Sequence, residues 1–161
     1  MSGRAAILVF GFGNPSRGDD AIGPLLAERL RGWLSERNMS GVEAMTDMQL
    51  NIEHALDLVG RRRVLFIDTA LDGEAPFDCR TVPAADDASY TTHAVSPAAL
   101  LAICERVAGG PLPRAQLLAV RGERFELGAP LSEDAAERLE QAWRWLLAWC
   151  REVCAEAPNH A

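Results

Sequence analysis

The sequence predicts an α/β fold: three layers, with a mostly parallel, twisted sheet of about five strands and helices on both faces. Three observations carry this. Short apolar runs, Ala5–Phe10 and Val64–Ile67 unbroken and Ala115–Val120 interrupted only by Gln116, read as strands buried on both faces. Segments whose apolar residues recur three and four apart lie between and after them. Gly, Pro, Asn or Asp punctuates the passages from one kind of segment to the other.

At 161 residues, 48% of them apolar, the chain has the length and composition of one folded domain spanning 1–161. The net charge of −7 argues against nucleic acid or an anionic membrane surface as partner. No apolar run approaches the roughly 20 residues of a membrane span. The N-terminal apolar run passes straight into glycines with no small-residue cleavage site, so the expectation is a cytoplasmic protein. The cysteines Cys79, Cys104, Cys150 and Cys154 form no CxxC pair and read as buried, reduced thiols.

The elements follow in order. Ala5–Phe10 is the first strand, and Gly11, Gly13 and Asn14 begin a polar loop. Ile22, Leu25, Leu26, Leu30, Trp33 and Leu34 have helical spacing, and Pro24, tolerable only in the first turn, places the helix start near Asp20. Asn38–Gly41 ends that helix, and Val42, Ala44, Thr46 and Met48 alternate as a strand. Ile52, Ala55, Leu56 and Val59 form one face of a second helix, stopped by Gly60, with His54 off that face and exposed. Arg61–Arg63 read as a solvated strand entrance before Val64–Ile67. Phe77–Val82 is a short edge strand closed by Pro83. Ser96 and Pro97 are the N-cap and first residue of a helix carrying Leu100, Leu101, Ile103, Cys104 and Val107. Ala115–Val120 is a further strand. Pro130 and Ser132 announce a last helix, with Leu139, Trp143, Leu146, Leu147, Cys150 and Val153 as its stripe, before a frayed tail over 155–161.

The loop after the first strand does not suit a phosphate. The dinucleotide fingerprint needs a glycine at position 16, where Ser16 stands, and no lysine completes a P-loop. Asp19 and Asp20 occupy the place where a phosphate wants positive charge. One of them can serve merely as an N-cap, but two adjacent acids in a glycine loop can also hold a cation. Asp20 follows the first strand, Asp68 ends the strand Val64–Ile67, and His93 precedes the helix after the edge strand. In a parallel sheet these points share the carboxyl edge, where ligands bind. Two carboxylates and an imidazole suit nickel, zinc or iron and leave coordination positions open. Equally, Asp68 can cap a loop and His93 can be structural. Gln49, at the end of the second strand, is either a further lining residue of the same cleft or a loop amide.

The residues Gly11-Phe-Gly-Asn14, Asp19–Asp20 and Ile22–Gly23, then MQLNIEHALDL, VLFIDTALDG and THAVSPAALL, in that order over Ile7–Leu101, resemble the nickel–iron hydrogenase maturation proteases. Residues 109–161 share only the pattern. The resemblance implies an endopeptidase of aspartic type that trims the C-terminus of the hydrogenase large-subunit precursor. It implies that Asp20, Asp68 and His93 are both the catalytic set and the ligands of a nickel ion that the substrate supplies. The isolated protein, expected to be a monomer, would then hold at most a stray divalent ion. Two departures stand out: Asp20 occupies a position often held by Glu, and Ala21 one where Gly is frequent. The competing readings are a nucleotide-binding α/β module using the glycine loop, and a precursor-binding chaperone that does not cut.

Overall fold

In the computed structural model, described over residues 3–86 and 94–156, the first strand, β1 (Ile7–Phe12), lies inside a five-stranded sheet. The others are β2 (Val42–Asp47), β3 (Arg63–Ala70), β4 (Phe77–Thr81) and β5 (Arg114–Arg121), in the spatial order β2-β1-β3-β5-β4. The first four neighbours are parallel, and β4 closes one edge antiparallel to β5. The predicted three-layer architecture and the edge strand are therefore both present.

Alternation along β1 divides the apolar side chains between two cores. Ile7 and Val9 pack with α1 (Ile22–Glu36) and α4 (Glu133–Ala155) on one face. Leu8 and Phe10 pack with α2 (Ala55–Leu58) and α3 (Pro97–Ala108) on the other. The chain leaves β1 toward β2 through α1, then crosses back over β1 to β3 through α2 on the opposite face. Connections after β1 and β3 thus run opposite ways, which opens a crevice at the carboxyl ends of these two strands.

Local chemistry explains the helix limits. Ser96 accepts the Ala99 N–H at 3.1 Å, Pro97 opens α3, and Gly109 at φ 64° ends it. Ser132 caps α4 by accepting the Ala135 N–H at 3.2 Å. Pro24 is the third residue of α1, where its missing N–H has no intrahelical carbonyl to serve.

Several expectations are corrected. The segment after β2 is a 3₁₀ turn, Ile52–His54, followed by the single turn of α2. So short a piece does not keep a 3.6-residue face: Leu50, Ala55 and Leu58 are buried, whereas Ile52 and Leu56 are exposed at 47% and 60%. His54 is buried at 9% exposure, stacked edge-on against Phe10 at 4.7 Å. Its Nδ1 accepts the Asn51 N–H at 2.8 Å, so Nε2 carries the proton and donates to Asp47 Oδ2 at 3.1 Å.

Arg61 and Arg63 are buried rather than solvated. Arg61 donates to the Asp57 and Ala5 carbonyls and to Glu43, so its buried guanidinium joins α2, the segment before β1 and β2. Arg63 is held by Glu156 and Gln116. Ala155 belongs to α4, and Glu156 also receives Arg62 at 2.8 Å, so the C-terminal segment is anchored through 156. Of the cysteines, Cys104 and Cys150 are buried and Cys79 half-buried, but Cys154 is exposed because it falls outside the α4 stripe. No helix among the described residues is long and apolar enough to cross a membrane.

Candidate active site

The crevice at the ends of β1 and β3 is built by close backbone approach. A Cβ on Gly11 would collide with the Gly23 carbonyl, so only glycine lets α1 begin directly against β1. Gly13, at φ 151°, sits against the Asp20 carbonyl and donates its N–H to the Asp47 carbonyl at 3.1 Å. Between them the 3₁₀ turn Gly18–Ala21 presents the two acids.

Asp19 and Asp20 do different work. Asp19 is fully buried, and its carboxylate caps no helix of its own turn. It reaches across to the loop between β5 and α4. Oδ1 accepts the Ser132 N–H at 2.8 Å; Oδ2 accepts the Ser132 hydroxyl at 2.8 Å, the Glu123 N–H at 2.8 Å and the Arg124 N–H at 3.0 Å. Burial pushes this carboxyl up, but the hydrogen bonds from Ser132, Glu123 and Arg124 outweigh it and hold it below the ordinary value. Asp20 is half-buried, and among the described residues its side chain accepts one hydrogen bond, from the Asn14 N–H at 2.7 Å. Of the two carboxylates, that of Asp20 is the more open.

Asp68 lies within β3, not beyond it, because β3 runs on to Ala70. It continues the series Val64 and Phe66 on the α2/α3 face. Its Oδ1 accepts the Thr69 N–H at 2.8 Å. Burial raises the Asp68 carboxyl, the Thr69 N–H draws it partly back, and the charge of Asp20 adds to the rise, to about 7. The structure therefore brings Asp20 and Asp68 within electrostatic reach of each other. Thr69 faces the other way, and its hydroxyl donates to the Asp19 carbonyl at 2.8 Å.

His93 lies outside the described residues. The chain that follows it is fixed on the Asp68 face: Val95 is buried in the α2/α3 core and donates its N–H to the Leu50 carbonyl at 3.2 Å. Among the described residues no three His, Cys, Asp or Glu side chains gather as a metal cluster. Gln49 is exposed and lies 3.4 Å from Asn51 Oδ1. Beside Gly13, on the β2 side, a cleft of about 180 Å³ is lined by Pro15, Pro24, Thr46, Asp47 and Met48.

The thiols offer no nucleophile here. Burial pushes Cys150 up to about 12 and raises Cys79, Cys104 and Cys154 as well. The buried Ser132 hydroxyl is consumed by Asp19 and by the α4 cap. What the arrangement offers chemically is two carboxylates, Asp20 and Asp68, at the crevice where the strand connections diverge. The buried anchors Asp19, Thr69 and Ser132 were not legible as such. The nearest signals were the doubled acid, of which a tight turn exposes one, and Ser132 as an N-cap.

No protein-family model and no curated protein matches the chain. Solved structures do. The chain is similar to the NiFe hydrogenase maturation protease HycI from Thermococcus kodakarensis KOD1, at 22% identity and TM-score 0.67, over 90% of this chain and 92% of that one. It is similar to the hydrogenase maturating endopeptidase HybD from E. coli, at 23% identity and TM-score 0.68, over 91% and 93%. A hydrogenase 2 maturation peptidase from Thaumarchaeota archaeon SCGC_AB-539-E09 aligns at 23% identity and TM-score 0.61, over 92% and 98%. Along nearly its whole length, this chain has the fold of the solved hydrogenase maturation proteases.

Proposed function

We propose that the protein is an endopeptidase that removes the C-terminal extension of a nickel–iron hydrogenase large-subunit precursor after nickel insertion. The observation that carries the reading is that Asp20 and Asp68 both sit at the β1/β3 crevice, close enough for the charge of Asp20 to act on Asp68, in a fold shared with proteins described as hydrogenase maturation proteases. Sequence resemblance over Ile7–Leu101 points the same way. Asp20 and Asp68 supply negative oxygens and His93 a neutral nitrogen, a donor set that suits a borderline divalent ion. The substrate's nickel docks against these three residues, and docking fixes the scissile bond beside the carboxylates by proximity. A water activated there attacks the peptide carbonyl. The nucleotide-module reading is disfavoured by the same loop, since its two acids repel a phosphate and Asp19 is already saturated. We take the enzyme to act as a cytoplasmic monomer.

The test is incubation of the purified protein with nickel-loaded and nickel-free precursor, read as a shift in precursor size. Shortening of the loaded precursor alone is the expected result. No shortening of either, or equal shortening of both, overturns the reading.

A further inference from the structure

We infer that Asp19 is the positioning residue of this site, the tie that sets Asp20 against Asp68. The inference rests on the function proposed above. Asp20 and Asp68 come from separate segments, a 3₁₀ turn after β1 and the body of β3. Their immediate neighbours are joined directly: the Thr69 hydroxyl donates to the Asp19 carbonyl at 2.8 Å, in the buried layer under α1. Lengthening that bond moves the two ligand-bearing segments apart.

The side chain of Asp19 holds the turn from the other side. It draws four donors from Glu123, Arg124 and Ser132. The backbones of the two loops are also laced together, Asp19 N–H to the Arg124 carbonyl at 2.7 Å, Gly18 N–H to Ala129 at 3.1 Å and Gly128 N–H to Ser16 at 2.7 Å. A Cβ on Gly18 would strike the Arg124 carbonyl, so the approach is as close as glycine allows. Among the described residues no cation pairs with Asp19; the groups that meet its charge there are N–H and O–H donors, which are directional. Such a carboxylate fixes orientation better than a mobile ion pair does. The segment 123–132, outside the stretch of resemblance, thereby becomes the frame of the site. A misplacement of about 1 Å at the reacting groups is worth on the order of 100-fold in rate.

The experiment compares wild type with Asp19→Asn and Thr69→Val, and with Val153→Ala as a core variant at the far end of α4. Thermal melting, kcat and KM for nickel-loaded precursor, and affinity for nickel ion alone by calorimetry are measured well below each melting temperature. Thr69→Val keeps the side-chain shape and removes only the tie, so it remains informative if Asp19→Asn does not fold. The expected result is a kcat loss of about tenfold or more with KM within about threefold, and nickel affinity weakened about threefold or more, for both site variants. Val153→Ala should melt earlier yet keep wild-type kcat. If folded Asp19→Asn and Thr69→Val keep wild-type kcat and nickel affinity, the inference is overturned. The same follows if Val153→Ala loses kcat as they do, since the effect is then general loosening. Asp20→Asn and Asp68→Asn run alongside: their retaining full activity would overturn the proposed function instead.

Discussion

Ser132 and Asp19, far apart in sequence, are joined by two hydrogen bonds of 2.8 Å, one from the Ser132 N–H and one from its hydroxyl. The same hydroxyl caps α4. One contact therefore couples the loop after β1 to the last helix. Asp19→Asn replaces an acceptor-only group by one with an NH₂ that faces donors, inside a buried site. We expect a loss of about 3 kcal/mol in denaturant unfolding. Asp20→Asn, at a half-buried position with one backbone donor, should cost less than about 1 kcal/mol. Equal losses would contradict the division of labour between the two acids.

Processing should show the opposite ranking among the residues proposed to meet the substrate's nickel. Asp20→Asn, Asp68→Asn and His93→Ala should each lower precursor cleavage by about 100-fold or more, with melting temperatures near or above wild type, because each removes one donor from the proposed cation site. A gel assay on nickel-loaded precursor decides. Wild-type cleavage by His93→Ala would remove the imidazole from the site.

The Asp68 carboxyl gives a pH signature. Its folded value, about 7, lies above its ordinary value of 3.8. Between these pH values the native state holds a proton that the unfolded state has lost. Its contribution to stability is full below about 3.8 and is lost as pH rises through about 7. The slope reaches about 1.4 kcal/mol per pH unit inside that window. Asp68→Asn should flatten this dependence and exceed wild type in melting temperature at pH 8. Parallel curves for the two proteins from pH 4 to 8 would refute the raised value.

Arg61 offers a check on the fold itself. Its buried guanidinium serves the Asp57 and Ala5 carbonyls and Glu43. Arg61→Ala should cost about 3 kcal/mol, read by urea unfolding. A solvated arginine would cost less than about 0.5 kcal/mol.

The sequence by itself determined the layers of this protein. Unbroken apolar runs at Ile7–Phe10 and Val64–Ile67 read as strands covered on both faces, and Ser96–Pro97 and Ser132 mark helix starts through their own backbone chemistry. These signals are local, carried by residues within one turn or one strand of each other. The tertiary structure decided which polar groups are buried. His54, Arg61 and Arg63 carry no local mark of burial, because what buries them is Phe10, Glu43 or Glu156 arriving from elsewhere in the chain. It also gave Asp19 and Asp20, chemically identical neighbours in the sequence, different surroundings. A carboxylate's role is fixed by the donors that surround it, and those around Asp19 are supplied by Glu123, Arg124 and Ser132, across a fold that no local pattern encodes.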